Sequence, residues 1–319
     1  MESPKKILVT GGAGYIGSHT VVALIKAGFE PIIVDNFSNS EPWILEQLFK
    51  LIGKTVKYYT INCNDKKSLE KVFIKENIHS VIHFAALKAV SESVEQPLKY
   101  YQNNINSLLC IIELMEAYGV ENIVFSSSCT VYGVADYLPV NEIHPIKKAE
   151  SPYGYTKQVC ENIITDCLKS EKLKRKITLR YFNPIGAHSS GLIGELPIGT
   201  PNNLVPLITQ TAAGMRDALI VFGNTYNTPD GTCIRDYIHV MDLADAHVRS
   251  LIIMSETNNS YTLNIGTGKG NSVLDIIHSF EKVNQIKLNY KIGPKREGDI
   301  EQIYAATNLA EKILKWKAN

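Results

Sequence analysis

The sequence predicts an α/β fold, in which a doubly wound parallel sheet is followed by a smaller, interleaved C-terminal α/β unit. Three observations carry that expectation. Short β-rich runs alternate with helix-like patterns over roughly the first 180 residues; a glycine-rich turn joins the first run to the first helix; and an aspartate closes the second run.

Taken in order, KKILVT, EPIIVD, VKYYTI, HSVIHFA and ENIVFSS read as strands, each a short apolar run of the kind that is buried on both faces. Between them lie helical patterns such as YIGSHTVVALIKAG and PLKYYQNNINSLLCIIELMEAYG. ITLRYF at 177–182 supplies a sixth strand. Beyond Asn183 the chain is irregular and rich in Gly, Pro and Asn up to about residue 234, as in GLIGELPIGTPNNLVP and FGNTYNTPDGT, which marks loops that bind a ligand. VMDLADAHVRSLIIM then reads as a helix and YTLNIG at 261–266 as another buried strand. The expected division is 1–182 for a dinucleotide-binding Rossmann domain and 183–319 for a substrate domain, with segments near 240–268 returning to the first.

Bulk composition excludes several classes. A chain of 319 residues with 45% hydrophobic and 20% charged residues can bury a substantial core. The net charge of +1 and the lack of an arginine-rich block speak against a nucleic-acid partner. The one basic cluster, KSEKLKRK at 169–176, reads as a solvated helix end. Six cysteines without C-x-x-C spacing, and no secretory pattern before the first apolar run, suggest free thiols in a reduced, cytoplasmic setting. No apolar stretch approaches the ~20 residues needed to span a bilayer, so a soluble protein without a membrane partner is expected.

In TGGAGYIG, Gly11, Gly14 and Gly17 allow a tight turn, close approach to a pyrophosphate, and packing of helix on sheet. The helix N-terminus then faces the phosphates. Asp35, at the end of the second strand, can accept both ribose hydroxyls and repel an extra phosphate, which points to NAD. In SPYGYTK, Tyr153 and Lys157 are four apart on one helical face, whereas Tyr155 points elsewhere. An ammonium about 4 Å from a phenol at effective dielectric ~20 contributes on the order of 4 kcal/mol, which lowers the phenol's pKa toward that of a usable base. Ser128, at the carboxyl edge of the fifth strand, is placed to relay a substrate proton to Tyr153, while Ser126 and Ser127 are read as satisfying loop backbone. His239, Asp242, Asp245 and His247 are metal-ligand types, but a helix starting near Asp242 would not converge them, so no metal is expected.

TGGAGYIG, Asp35, HFAALKAVSES, SSS-x-TVYG, SPYGYTK, RYFNPIGAH, GTCIRDYIHVMDLADAH and KREGD together resemble the extended short-chain dehydrogenase/reductase family along nearly the whole chain. Within that family the likeness is to the UDP-hexose 4-epimerases. The resemblance implies interconversion of UDP-galactose and UDP-glucose through a 4-keto intermediate, with tightly bound NAD. It places Gly11, Gly14, Tyr15, Ile16, Gly17, Asp35, Asn36, Asn62, Cys63, Phe84, Ala85, Lys88, Asn103, Tyr153, Lys157 and Tyr181 around the cofactor. Around the UDP-sugar it places Ser128, Tyr153, Asn183, Asn203, Leu204, Phe222, Arg235, Arg296, Asp299 and Ile303. Of these, Arg235 and Arg296 would clamp the diphosphate and Asp299 would accept from the uridine ribose.

Sugar dehydratases of the family carry an Asp-Glu pair after the loop threonine, where this chain has Val131-Tyr132, which disfavours elimination. Asn62 stands where an aspartate usually meets the adenine, and Cys129 where a small alanine is usual. Ile303 falls at the family's gate beside the sugar's second carbon. Tyrosine there narrows the pocket and a small residue admits N-acetyl sugars, so the intermediate isoleucine implies some activity on UDP-N-acetylgalactosamine. Family members usually continue for about one more helix beyond LKWKAN. They pair through helices that here span residues near 97–118 and 153–169, so a homodimer is implied. Epimerization of another UDP-hexose such as a uronate, or a non-catalytic NAD-sensing role, are the alternatives open at this point.

Overall fold

The computed structural model describes residues 4–296 and 299–319. Its first part runs β1 (Lys6–Thr10), α1 (Tyr15–Lys26), β2 (Glu30–Asp35), α2 (Ile44–Ile52), β3 (Lys57–Thr60), α3 (Lys66–Glu76), β4 (Ser80–His83), α4 (Val90–Glu95), α5 (Pro97–Ala117), β5 (Asn122–Ser128), a 3-10 turn (Cys129–Tyr132), α6 (Pro152–Lys169) and β6 (Arg175–Tyr181). The second part runs β7 (Asn183–Ile185), α7 (Leu204–Ala212), β8 (Leu219–Phe222), β9 (Ile234–His239), α8 (Val240–Glu256), β10 (Tyr261–Ile265), β11 (Gly270–Ser272), α9 (Val273–Asn284), β12 (Tyr290–Gly293), β13 (Gln302–Ile303) and α10 (Asn308–Leu314).

A seven-stranded, wholly parallel sheet has the order β10-β6-β5-β4-β1-β2-β3. Alternate strand residues feed opposite layers, as the strand period of two requires. Ile7, Val9, Ile33, Ile82 and Val124 join the core under α1, α2, α8 and α10, whereas Leu8, Ile32, Val34, Val81 and Phe125 join the core under α3, α5 and α6. Burial on both faces explains why these strands read as unbroken apolar runs. The chain order reverses at β1, which has β2 on one side and β4 on the other, so a crevice opens there at the carboxyl edge.

α8 and β10 come late in the chain yet complete this layer structure, with β10 pairing β6 from Tyr261↔Ile177 to Ile265↔Tyr181. The stretch read as irregular contains β7, α7 and β8. Their partners lie far downstream, β9 for β7 and β12 for β8, and strands of three or four residues leave no local periodicity to read. A small apolar cluster of Cys129, Val131, Tyr132, Val140, Phe182, Ile303 and Ala305 joins the end of β5 to β13. Buried Asp236 on β9 secures that junction. One carboxylate oxygen accepts from the Thr267 amide and hydroxyl at 2.8 and 2.7 Å, and the other accepts from the amides of Gly268 and Ala305 at 3.0 and 3.1 Å.

Candidate active site

The turn after β1 forms a cradle of backbone. Gly11 has φ +69°, and a Cβ there would lie 2.9 Å from the Ala85 amide, so the turn seats directly on the segment leaving β4. No side chain caps α1, which leaves its first-turn N–H groups facing the crevice. Asp35 is 8% exposed; its Oδ2 accepts from the Ala13 amide at 3.0 Å and its Oδ1 from Phe37 N at 2.9 Å and Ser40 Oγ at 3.3 Å. Burial pushes this carboxyl up, and those donors pull it back. Asn36 turns away to accept from Ser38 N, and Asn62 accepts from the amide and side chain of Asn64. Asn64 also donates to Asn103 Oδ1 at 3.2 Å, which brings the loop after β3 to α5. Cys63 is buried beside Asp35 with its thiol pushed up to about 12. Phe84 packs on His247 with ring centroids 4.7 Å apart. Tyr15, at the start of α1 before Ile16, donates to Gly186 O at 2.7 Å. The open N–H groups, the closely seated turn and the aspartate fit a dinucleotide with a free ribose diol.

At the carboxyl edge, α6 begins with Ser151 as N-cap, accepting from Gly154 N at 3.1 Å, and Pro152 in the first turn. This start aims Tyr153 and Lys157 toward the end of β5. Lys157 Nζ lies 6.0 Å from the Tyr153 ring centroid and donates to Ser126 O at 2.6 Å. It also sits 5.0 Å over the Phe125 ring. Burial pushes the Tyr153 phenol up to about 12, opposed by the Ser128 hydroxyl, and pushes the Lys157 ammonium down to about 8. In the protein alone the phenol is therefore held above its ordinary value, because desolvation outweighs the Ser128 hydrogen bond. Ser128 Oγ accepts from Thr130 N at 3.2 Å. Tyr181, opposite Ser128 across the β5–β6 register, bonds His247 Nε2 at 2.5 Å.

Across the crevice, Arg296 forks onto Asp299 at 2.9 and 3.1 Å, and Arg235 Nη2 approaches the same carboxylate at 3.9 Å. The arginines and the aspartate that the resemblance assigns to different parts of a nucleotide thus hold one another. The Arg296 guanidinium lies 4.8 Å over the Phe222 ring. Ile303 pairs in register with Arg235 and is 3% exposed, packed with Cys129. Asn183 lies on β7 opposite Tyr237, and Leu204 opens α7. Lys88, which the resemblance places at the cofactor, has a protein partner: Lys88 Nζ pairs with Glu195 Oε1 at 3.1 Å, and Asn203 Nδ2 donates to that oxygen at 2.6 Å. Glu297 and Gly298 of KREGD lie outside the described residues.

A family model described as GDP-mannose 4,6 dehydratase matches residues 8–319. The UDP-glucose 4-epimerase of Bos taurus is 48% identical over 320 residues, covering 98% of this chain and 92% of the relative. The chain belongs to the UDP-glucose 4-epimerase family. The fold of that family is reproduced closely. The Bifidobacterium longum UDP-glucose 4-epimerase in complex with NAD+ and UDP superposes with TM-score 0.95 at 44% identity, covering 99% of this chain and 94% of the other. The Stenotrophomonas maltophila UDP-glucose-4-epimerase with bound NAD and formylated UDP-arabinopyranose gives the same values.

Against this family's site, sequence reasoning missed several supporting residues. Ser127 is not a backbone-satisfying loop residue; it lies within a fully buried strand and donates to Glu161 Oε1 at 2.5 Å. His247, set aside as a metal ligand in favour of a structural role, is buried as a partner for Tyr181, with burial pushing its imidazole down to about 4. α8 starts at Val240, two residues before Asp242, with His239 as the N-cap accepting from Met241 N at 3.2 Å. Asp242 accepts from Asn319, and Asp245 pairs with Arg249 at 3.5 Å, so these side chains do not converge. Glu195 was detectable as the lone acid in GLIGELPIG.

Proposed function

We propose that the protein interconverts UDP-galactose and UDP-glucose through a 4-keto sugar with tightly held NAD, and that Tyr153 moves the proton of the sugar's 4-hydroxyl. The observation that carries this reading is the convergence of Tyr153, Lys157 and Ser128 at the carboxyl edge beside the glycine cradle. Residues 1–182 would hold the cofactor and 183–319 the UDP-sugar, with 240–268 returning to the first part. NAD, when bound, supplies a reversible hydride acceptor and a positive charge beside the phenol. That charge opposes the burial that holds Tyr153 up near 12, and Ser128 relays the hydroxyl proton to the phenolate.

Arg235 and Arg296 turn from Asp299 to the diphosphate, which frees that carboxylate for the ribose. Asn183, Asn203, Leu204 and Phe222 line the rest, while Lys88 leaves Glu195 for the cofactor phosphates. Firm anchoring of the nucleotide leaves the keto-hexose free to present either face. Ile303 beside the sugar's second carbon leaves room for some turnover of UDP-N-acetylgalactosamine.

A homodimer through α5 and α6 is supported by their outward apolar side chains, Leu98, Leu109 and Tyr155. Six unpaired cysteines suit a reduced, cytoplasmic setting. Purified protein should convert UDP-galactose to UDP-glucose with no NAD added, and Tyr153→Phe should abolish turnover while keeping its NAD. Absence of conversion even after NAD is supplied would reject the reading.

A further inference from the structure

Beneath the proposed catalytic pair lies a largely buried charged cluster. Ser127 and Arg180 are directly opposite on β5 and β6, so their side chains share a face of the sheet. Together they grip Glu161, which is one turn beyond Lys157 on α6. Arg180 forks onto the carboxylate, Nε to Oε1 at 3.0 Å and Nη2 to Oε2 at 2.6 Å, and Ser127 donates to Oε1 at 2.5 Å. Residues Glu161 and Arg180 are 9% and 6% exposed. Three consecutive β5 residues are thereby committed to α6: the Ser126 carbonyl to Lys157, the Ser127 hydroxyl to Glu161, and the Ser128 hydroxyl toward Tyr153.

Packing alone does not call for charge here, since apolar residues of equal volume commonly match or exceed a buried ion pair in stability. The pair's position suggests what the charge is for. We propose that Glu161 and Arg180 are positioning residues for the reaction, fixing α6 against β5 and setting the local charge balance so that Lys157 stays an ammonium aimed at Ser126. Lys157's part in turnover rests on the epimerase reading above; the charge coupling does not.

The titratable and charged groups around Lys157 come from every packed element. β4 supplies His83, buried and pushed down to about 3 by burial with a smaller push from Lys157. α6 itself supplies Tyr153, Cys160 and Glu161, and β6 supplies Arg180. Tyr100 of α5, bonded to Glu92 of α4 at 2.7 Å, lies on the Tyr153 side. Of these, Glu161 and Arg180 form the charged pair; Glu161 favours the Lys157 ammonium, and the proposal requires the guanidinium that partners it to act with the opposite sign.

That opposition gives the test. The Lys157 ammonium is titrated by nitrogen NMR in ligand-free, lysine-labelled protein, with Lys157→Met for assignment. Glu161→Gln should lower the midpoint and Arg180→Met should raise it, each by about one pH unit, a tenfold change in proton affinity. Combining the two substitutions should restore the parent midpoint. Glu161→Asp, which retains charge and fold but retracts the carboxylate, should give a smaller downward shift. Unchanged midpoints, or shifts of one sign in both single variants, would overturn the proposal, because general loosening of the fold cannot move them oppositely. In parallel, the alkaline limb of the kcat profile for UDP-galactose should shift with the same signs while KM stays within about twofold. If the parent protein does not turn over UDP-galactose, the epimerase reading falls, and the NMR midpoints still decide the coupling.

Discussion

Replacing Gly17 by alanine tests the cradle directly. The added Cβ would lie 2.2 Å from Gly11 O, 2.8 Å from Gly12 Cα and 3.0 Å from Gly11 C. An unstrained C···O contact needs about 3.3 Å, so helix and turn must separate by about 1 Å. Neither can yield cheaply, since the contacted atoms are backbone and Gly11 is itself tied to Val34 O at 2.8 Å. Overpacking of this kind costs about 3 kcal/mol, equivalent to a melting temperature lower by about 4–5 °C in a chain of this size. The displaced turn should also forfeit N–H bonds to the pyrophosphate worth about 3 kcal/mol in total, or about 100-fold in NAD affinity. The comparison variant is Gly14→Ala, whose Cβ would meet only Gly11 O at 3.2 Å in an ordinary helical N-cap geometry. It should melt within about 2 °C of the parent yet lose NAD, since the glycine pattern assigns position 14 to close approach of the phosphates. Calorimetry and the NAD content of the purified variants measure both quantities. A Gly17→Ala protein with parental melting temperature and full NAD content would refute the reasoning.

Three further outcomes are expected. Glu76, with a side chain 1% exposed, binds Lys6, Lys57 and Tyr59. Burial pushes its carboxyl up, but those three donors outweigh it and hold the group down at about 2. The resulting stabilisation, roughly 1–2 kcal/mol after screening at the two part-exposed lysines, should be complete above the ordinary carboxylate range. It should disappear as pH falls toward 2, so urea midpoints of Glu76→Gln and parent should converge in acid; a constant gap would contradict this. Asp236→Asn turns an NH2 group toward two of four donors and should cost about 2–4 kcal/mol in urea unfolding; a loss below about 0.5 kcal/mol would count against the junction described. Ile303→Tyr should lose N-acetylgalactosamine turnover at least tenfold relative to galactose turnover, the size of one pocket-filling contact, and unchanged relative rates in coupled assays would dismiss the gate.

The central sheet was legible because its inner strands are buried on both faces and so carry unbroken apolar runs, Ile7-Leu8-Val9 and Ile32-Ile33-Val34 being the clearest. β13 was not legible. Its two residues owe their conformation to β9, about seventy residues earlier, and to the amide of Ala305 bonding Asp236. Within the candidate site, helical spacing put Tyr153 and Lys157 on one face, but spacing could not show that Lys157 bonds the Ser126 carbonyl. The Glu161–Arg180 pair was hidden for a similar reason: Glu161 is a regular i+4 neighbour of Lys157, while its partner is contributed by the next strand, β6, through a register that spacing does not give.

The pairing of β10 with β6 governs how the chain is made. β6 is complete at Tyr181, but its outer partner begins at Tyr261, so a nascent chain must grow by nearly half its preceding length before that edge is covered. At ribosomal rates of about 5–20 residues per second, this exposes an apolar strand edge for several seconds, an opening for pairing with other chains. The ribosome and early chaperones therefore meet a nearly finished sheet with one sticky margin, and a message truncated between these strands would yield an aggregating product rather than a free-standing cofactor-binding half.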